Sequence, residues 1–285
     1  MGVGMKMGLR RKAVISILIL AVVILWLLWG NTALEVNTYK LSSDRIPMEF
    51  DGFRIAQISD FHNTEFGEGN RKFLKLLSDA RPDIIVITGD LVDSRRTDVE
   101  VSLNLARELT KIAPVYYVSG NHEARIGEYQ RLQNGLTDAG VTVLKDQVIT
   151  LDRNGAYIQL AGIDDPAFRW GDDAESTARV LAEILPENSL YTIVLSHRPE
   201  LFETYVDSEV DLVFSGHAHG GQFRLPFVGG LFAPKQGFFP EYDAGVYEKD
   251  NTAMIVSRGI GNSILPLRFN NRPEIVLAEL RAETG

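Results

Sequence analysis

Five short runs rich in isoleucine and valine each stop at a compact polar cluster, and this repeated boundary limits the fold more than any other feature. The runs cover residues 53–59, 83–88, 115–119, 191–196 and 211–215. Their length and β-branched content mark them as strands. They lead into Asp60-Phe61-His62, Gly89-Asp90, Gly120-Asn121-His122-Glu123, Ser196-His197-Arg198 and Gly216-His217-Ala218-His219. The 285-residue chain has five histidines, and all five fall in these clusters. Amphipathic helical stretches are expected at 70–79, 98–112, 128–139, 174–184 and 199–205. Such alternation predicts an α/β domain with largely parallel strands. Ligands of open α/β sheets gather beyond the carboxyl ends of the strands, so the five clusters can converge on one site. Strand pairs without an intervening helix are expected at 141–151 with 157–163, and at 245–256 with 274–280.

The residue types in the clusters point to a cation. On an extended strand Asp60 and His62 share a face, so carboxylate and imidazole can meet one ion. His217 and His219 either repeat that geometry or turn through a loop, so that each ring serves a different ion. Asp90 and Asn121 add oxygen donors. Oxygen and imidazole donors in a chain without cysteine suit manganese, iron or zinc. Singly, each motif is ordinary: Gly-Asp after a strand is usually a turn, and a lone buried histidine is usually a satisfied core residue. Found together in this order, each after a strand, they define a metal site.

The ordered set D-x-H, G-D, G-N-H-E, S-H and G-H-x-H resembles the signature of the calcineurin-like metallophosphoesterases, over residues 53–280. That resemblance implies a sandwich of two mixed β-sheets flanked by helices, and two divalent metal ions (Mn²⁺, Fe²⁺/³⁺ or Zn²⁺). It assigns Asp60, His62 and His219 to one metal, Asn121, His197 and His217 to the other, and Asp90 to both, one oxygen each. His122 becomes the candidate general acid for the leaving group, with Glu123 fixing its tautomer and raising its pKa. Two such ions activate water and neutralise charge in the transition state. The stretches from Gly216 to Pro226, from Ser257 to Ser263 and from Arg268 to Glu274 are similar to a bacterial membrane-anchored phosphodiesterase subgroup, which includes UDP-diacylglucosamine pyrophosphate hydrolases.

The N-terminus suggests where such an enzyme works. Lys6, Arg10, Arg11 and Lys12 precede an apolar run at 13–29, broken only by Ser16 and ending near Trp26 and Trp29. Its seventeen residues suit a single membrane span at the short end of the range. An uncleaved signal anchor over 1–30 is the favoured reading, ahead of a cleaved or twin-arginine signal. A tether over 31–47 and a phosphoesterase domain over 48–285 would follow. The basic flank puts the N-terminus in the cytoplasm and the domain outside a bacterial membrane. The net charge of −9 includes the four cations before the span, so the domain itself is more acidic still and poorly suited to nucleic acid.

Three functions remain open on these residues. One is hydrolysis of a lipid-linked or envelope phosphodiester, the aromatic segment Phe223, Phe227, Leu231, Phe232, Phe238 and Phe239 receiving an acyl chain or packing a loop. Another is a phosphatase for soluble substrates, and the third a metal-binding interaction module without catalysis. A UDP-lipid substrate, normally cytoplasmic, conflicts with the outward topology. Arg198, Arg224, Arg258 and Arg268 are candidate phosphate contacts, and 63–70 and 226–242 candidate rims of the pocket.

Overall fold

Side-chain alternation along the strands sets up two faces on each sheet, and both faces are apolar. In the computed structural model, which describes residues 2–186, 190–262 and 267–283 (side chains from residue 11 onward), β2 (Arg54–Ile58) turns Ile55 to one side and Ala56 and Ile58 to the other. β3 (Ile84–Thr88) does the same with Val86 against Ile85 and Ile87. Strands buried on both faces need a layer on each side.

The first sheet contains β1 (Glu35–Ser43), β2, β3, β4 (Val115–Val118), β5 (Thr142–Val143) and β16 (Glu274–Ala282), in the order β1-β16-β2-β3-β4-β5. The second contains β6 (Gln147–Arg153), β7 (Ala156–Gly162), β8 (Thr192–Leu195), β9 (Leu212–Ser215), β14 (Gly245–Lys249) and β15 (Thr252–Val256), in the order β14-β15-β9-β8-β7-β6. Both are mixed: β2 to β5 and β7 to β9 run parallel, while β16 against β2, β6 against β7 and β14 against β15 are antiparallel. Ile55, Val86, Leu160, Ile193, Phe214 and Val276 fill the space between the sheets. Gln57 crosses that space, donating to Thr88 Oγ1 (2.9 Å) and to the Ser215 carbonyl of the other sheet (2.8 Å).

Helices close the outer faces. α2 (Arg71–Asp79), α3 (Val99–Leu109) and α4 (Tyr129–Asp138) cover the first sheet with Phe73, Leu77, Leu103, Leu132 and Leu136. α5 (Asp173–Ile184) and α6 (Phe202–Asp207) cover the second with Val180, Leu181, Phe202 and Tyr205. Asp98 and Asp172 cap α3 and α5 through the amides two and three residues on, which starts both helices where they start. Two small hairpins, β10 (Arg224–Leu225) with β11 (Gly229–Gly230) and β12 (Phe232–Ala233) with β13 (Gly237–Phe238), interrupt the path from β9 to β14.

Two expectations need correction. The segment 31–47 is not a free tether: β1 pairs with β16 residue for residue from Glu35↔Glu274 to Ser43↔Ala282. As a half-exposed edge strand it lacks the apolar run that marks its buried neighbours. The stretches 245–256 and 274–280 also do not pair with each other. The first folds on itself as the β14–β15 hairpin in the second sheet, and β16 crosses to the first. Ahead of β1, α1 (Gly2–Thr32) includes one segment, Arg11–Thr32, long and apolar enough to cross a membrane, with its side chains almost wholly exposed.

Candidate metal centre

The strand ends converge because β2, β3 and β4 in one sheet and β8 and β9 in the other point their carboxyl ends to the same edge of the sandwich. At that edge the backbone turns abruptly. Asp60, His62, Asp90, His217 and His219 all have left-handed φ, between 49° and 65°. Such strain, of order 1 kcal/mol or more per residue, collects where a fold must aim side chains at one point. Asp60 and His62 thus meet through a turned loop and not, as expected, through an extended strand, which for β2 ends at Ile58. Gly89, at φ 89°, and Gly120 pass so close that a Cβ on Gly89 would lie 2.7 Å from the Gly120 Cα.

Two groups of ligand atoms result. Asp60, His62, Asp90 and His219 form one, and Asp90, His197 and His217 the other; within each, all donor atoms lie within 4.8 Å of one another. His62 Nε2 and His219 Nε2 are 3.2 Å apart, and His219 Nε2 is 3.4 Å from Asp60 Oδ1. His197 Nε2 lies 3.1 Å from His217 Nδ1 and 3.3 Å from Asp90 Oδ2. The two histidines of G-H-x-H therefore separate, one ring to each group. The Asp90 Oδ1 accepts the His122 amide at 2.8 Å, and its Oδ2 faces both groups, 3.3 Å from His197 and 3.7 Å from His62.

The chemistry of this set suits divalent cations. Burial holds His62 down at about 4 and His219 at about 3, so both rings are neutral and their nitrogen lone pairs converge. Burial, followed by the Arg198 guanidinium, likewise lowers His217. Burial also opposes the charged form of His197, yet the Asp90 carboxylate overrides it and raises this ring to about 10. The His197 Nδ1 hydrogen goes to the Thr88 carbonyl at 2.8 Å, which turns Nε2 inward. The Asn121 amide places one side-chain heavy atom 2.8 Å from His217 Nδ1 and the other near the His122 amide and Arg125. A cation between Asn121 and His217 would call for the amide oxygen on the inner side.

Glu123 and His122 do not form the expected pair. Glu123, fully buried, accepts the amides of Asp90 (2.8 Å), Gly120 (2.7 Å) and Val92 (3.1 Å). His122 Nδ1 accepts instead from the Ser94 amide at 2.9 Å, with Asp93 Oδ1 3.8 Å away. Its hydrogen therefore sits on Nε2, toward the centre, and burial lowers its pKa where a carboxylate partner was expected to raise it.

A cleft of about 340 Å³ opens over these groups, its floor Asp90, Asn121, His122, His217 and His219. Arg125, Arg198, Gln222, Phe232, Pro234 and Lys235 make the walls. A larger groove of about 730 Å³ lies along α3 and α4, but Arg107 and Arg131 there pair with Glu100, and neither ligand group found among the described residues faces it. Of the four expected arginine contacts only Arg198 lines the cleft, and Asp165 grips it through two bonds, at 2.5 and 2.8 Å. Arg224 pairs with Asp243, Arg258 with Glu35 and Glu274, and Arg268 is buried against backbone carbonyls. Arg125 and Lys235 were not foreseen. The only cue was their position, one three residues past His122 and the other in a loop flagged as a rim. Ser263, from the 257–263 motif, lies outside the described residues.

Fold and site together define a two-metal hydrolase of phosphoric esters. The chain belongs to the calcineurin-like phosphoesterase family, whose sequence profile matches residues 53–221. The metallophosphoesterase YkuE of Bacillus subtilis is 32% identical over 254 residues, 87% of this chain and 86% of its own. Phosphodiesterase YaeI of Escherichia coli is 31% identical over 243 residues, 80% and 82% of the two chains. TT1561 of Thermus thermophilus shares the fold at a TM-score of 0.51 and 15% identity, over 73% of this chain and 89% of its own. Enzymes of this family use two divalent metals, and both ligand groups needed for them are present.

Proposed function

We propose that the protein is a membrane-anchored phosphodiesterase acting on a lipid-linked or envelope phosphodiester. The observation that carries this reading is the pair of ligand groups sharing Asp90 Oδ2 at the base of a cleft with cationic and aromatic walls. Asp60, His62 and His219 would hold one ion and Asn121, His197 and His217 the other, with Asp90 shared between them. Bound there, the two ions supply an activated water and offset charge growing on the phosphoryl oxygens.

The chain's own groups do the rest. Arg125, Arg198 and Lys235 bring cationic side chains to the cleft, where guanidinium and ammonium bind phosphate oxygens. His122 enters as a neutral Nε2–H donor to the leaving oxygen. With the Ser94 amide on Nδ1, it stabilises charge by hydrogen bonding and does not hand over a proton. Glu123 holds the Asp90 and Gly120 loops in register. The diester assignment draws on likeness to a protein named a phosphodiesterase. The membrane assignment draws on the apolar Arg11–Thr32 helix, and the outer-side reading on the basic residues that precede it.

Hydrolysis of bis(p-nitrophenyl) phosphate against p-nitrophenyl phosphate by the detergent-solubilised full chain, stripped and reloaded with Mn²⁺, tests the reading. Metal-dependent diester cleavage, lost in Asp90→Asn, is expected. Cleavage of the monoester alone would replace the diesterase with a phosphatase. Inactivity on both, with two metals bound, would favour an interaction module.

A further inference from the structure

Resting on the membrane reading above, we propose that the metal-bearing face of the domain sits on the lipid surface itself, held by an apolar rim on one side of the cleft mouth.

Topology gives the first argument. Only Ala33 and Leu34 separate α1 from β1, and Glu35 at the start of β1 pairs with Glu274 at the start of β16. Because β16 is antiparallel to β2, this point lies beside the carboxyl end of β2, where Asp60 begins the site. Two bonds fix that neighbourhood: the Glu274 amide donates to the Gly259 carbonyl (3.2 Å), and the Ile260 amide to that of Ser59 (3.0 Å). The helix thus enters the domain at the site edge, not at the far edge.

The joint is also stiff. The Asn31 side chain donates to the Arg268 carbonyl at 3.0 Å and accepts its amide at 2.8 Å. Arg272 lies over the Trp29 ring, 4.8 Å from its centroid, and binds the carbonyls of Ala33 and Leu34. At 1.5 Å per residue the 22-residue Arg11–Thr32 segment is roughly 33 Å long, a bilayer core with little to spare. Trp26 and Trp29 then fall at headgroup depth, and so does the backbone at 268–272 bound to them.

From this joint the apolar rim runs to the cleft. Phe269 is bridged to Phe223, the Arg224 amide donates to the Phe269 carbonyl (3.0 Å), and Gln222 of the cleft wall bonds the Leu267 carbonyl (2.6 Å). Beyond it Leu225, Phe227, Val228, Phe238, Phe239 and Phe269 stand exposed, Phe227 completely. A contiguous apolar patch of this kind marks a contact surface. Lipid is the occupant because the patch is continuous with the end of the span, at the depth where apolar side chains enter the headgroup–acyl boundary. A cleft mouth beside such a rim admits an amphiphile sideways, headgroup toward the metal site and tail still in the bilayer.

The absence of cysteine makes the test direct. Single variants Phe227→Cys and Phe269→Cys report on the rim, Leu20→Cys on the span, and Tyr157→Cys on the amino-terminal end of β7, opposite the site. Each full-length variant is labelled with nitrobenzoxadiazole and reconstituted in phosphatidylethanolamine–phosphatidylglycerol vesicles, with and without lipids carrying nitroxide on the acyl chain. The expected result is blue-shifted, nitroxide-quenched emission at 20, 227 and 269, and water-like, unquenched emission at 157. Quenching at 20 with water-like emission at 227 and 269 would leave the anchor standing and overturn the docked face. Water-like emission at 20 as well would overturn the spanning helix, and the docked face with it.

Discussion

Glu123 and Asp90 are joined by a hydrogen bond that a sequence does not advertise: the Glu123 carboxylate accepts the Asp90 amide at 2.8 Å, inside a fully buried pocket. The same oxygen takes the Gly120 amide and its twin takes that of Val92. One side chain therefore holds the β3 and β4 loops against each other, directly behind the two ligand groups. Burial, then the charge on Asp90, pushes its carboxyl up to about 7, and the amides work the other way.

Replacing that carboxylate removes acceptors from three buried amides. Glu123→Ala should cost roughly 3 kcal/mol of stability, near the upper end for hydrogen bonds to a buried charged group. Glu123→Gln should lie between Ala and wild type, since it keeps one acceptor oxygen. Chemical denaturation of the metal-free protein measures both. Unchanged stability in Glu123→Ala would mean that the loops do not depend on this residue.

His197 predicts a proton release. Its folded pKa of about 10 exceeds the unfolded value near 6.5, because Asp90 outweighs burial. In the metal-free protein this pair contributes stability that is fully present below about 6.5 and lost as pH rises toward about 10. A metal must displace that proton, so metal affinity should rise with pH across the same window. Calorimetric titration with Mn²⁺ at pH 8, in buffers of different ionisation enthalpy, should count about one proton released per site pair. A buffer-independent heat would contradict the His197–Asp90 assignment.

His122 as a neutral donor behaves differently from His122 as an acid. His122→Ala should lower kcat on a poor-leaving-group diester about 10²-fold, the usual loss for one transition-state hydrogen bond, with metal content unchanged. Since burial holds its pKa below the ordinary histidine value, the wild-type rate should show no His122-dependent fall above pH 6.5. A declining limb there, abolished in His122→Ala, would restore the general-acid role.

Gly216 is a test of space. A Cβ at this position would run into the Ser59 hydroxyl and crowd the Asp60 carboxylate. Gly216→Ala should shift Asp60 and weaken the metal bound by Asp60, His62 and His219, by about tenfold or more. Equilibrium dialysis followed by elemental analysis would read this as the loss of one metal per chain with the other retained.

The parts of this site legible in sequence are those that chemistry imposes residue by residue. All seven candidate ligands follow predicted strands, and the strand starts and ends came within two residues because a buried strand has no polar interior to blur it. What was illegible depends on neighbours. An apolar run says that a strand is buried without naming its partner, so 274–280 was matched with the wrong stretch. The β1 strand, exposed on one edge, read as a linker. Glu123 sits beside His122 in sequence yet turns away from it, and Asp93, three residues past Asp90, comes close to His122 instead.

The left-handed backbone at Asp60, His62, Asp90, His217 and His219 has a further consequence. Aspartate, asparagine and histidine are the residues, glycine aside, that enter this conformation most readily. They are also the side chains that bind hard and borderline divalent ions. The turn at the strand end and the coordination bond therefore draw on one small alphabet. A substitution chosen to preserve charge, such as glutamate for Asp90, would fail first on conformation: it keeps the carboxylate and loses the corner that aims it.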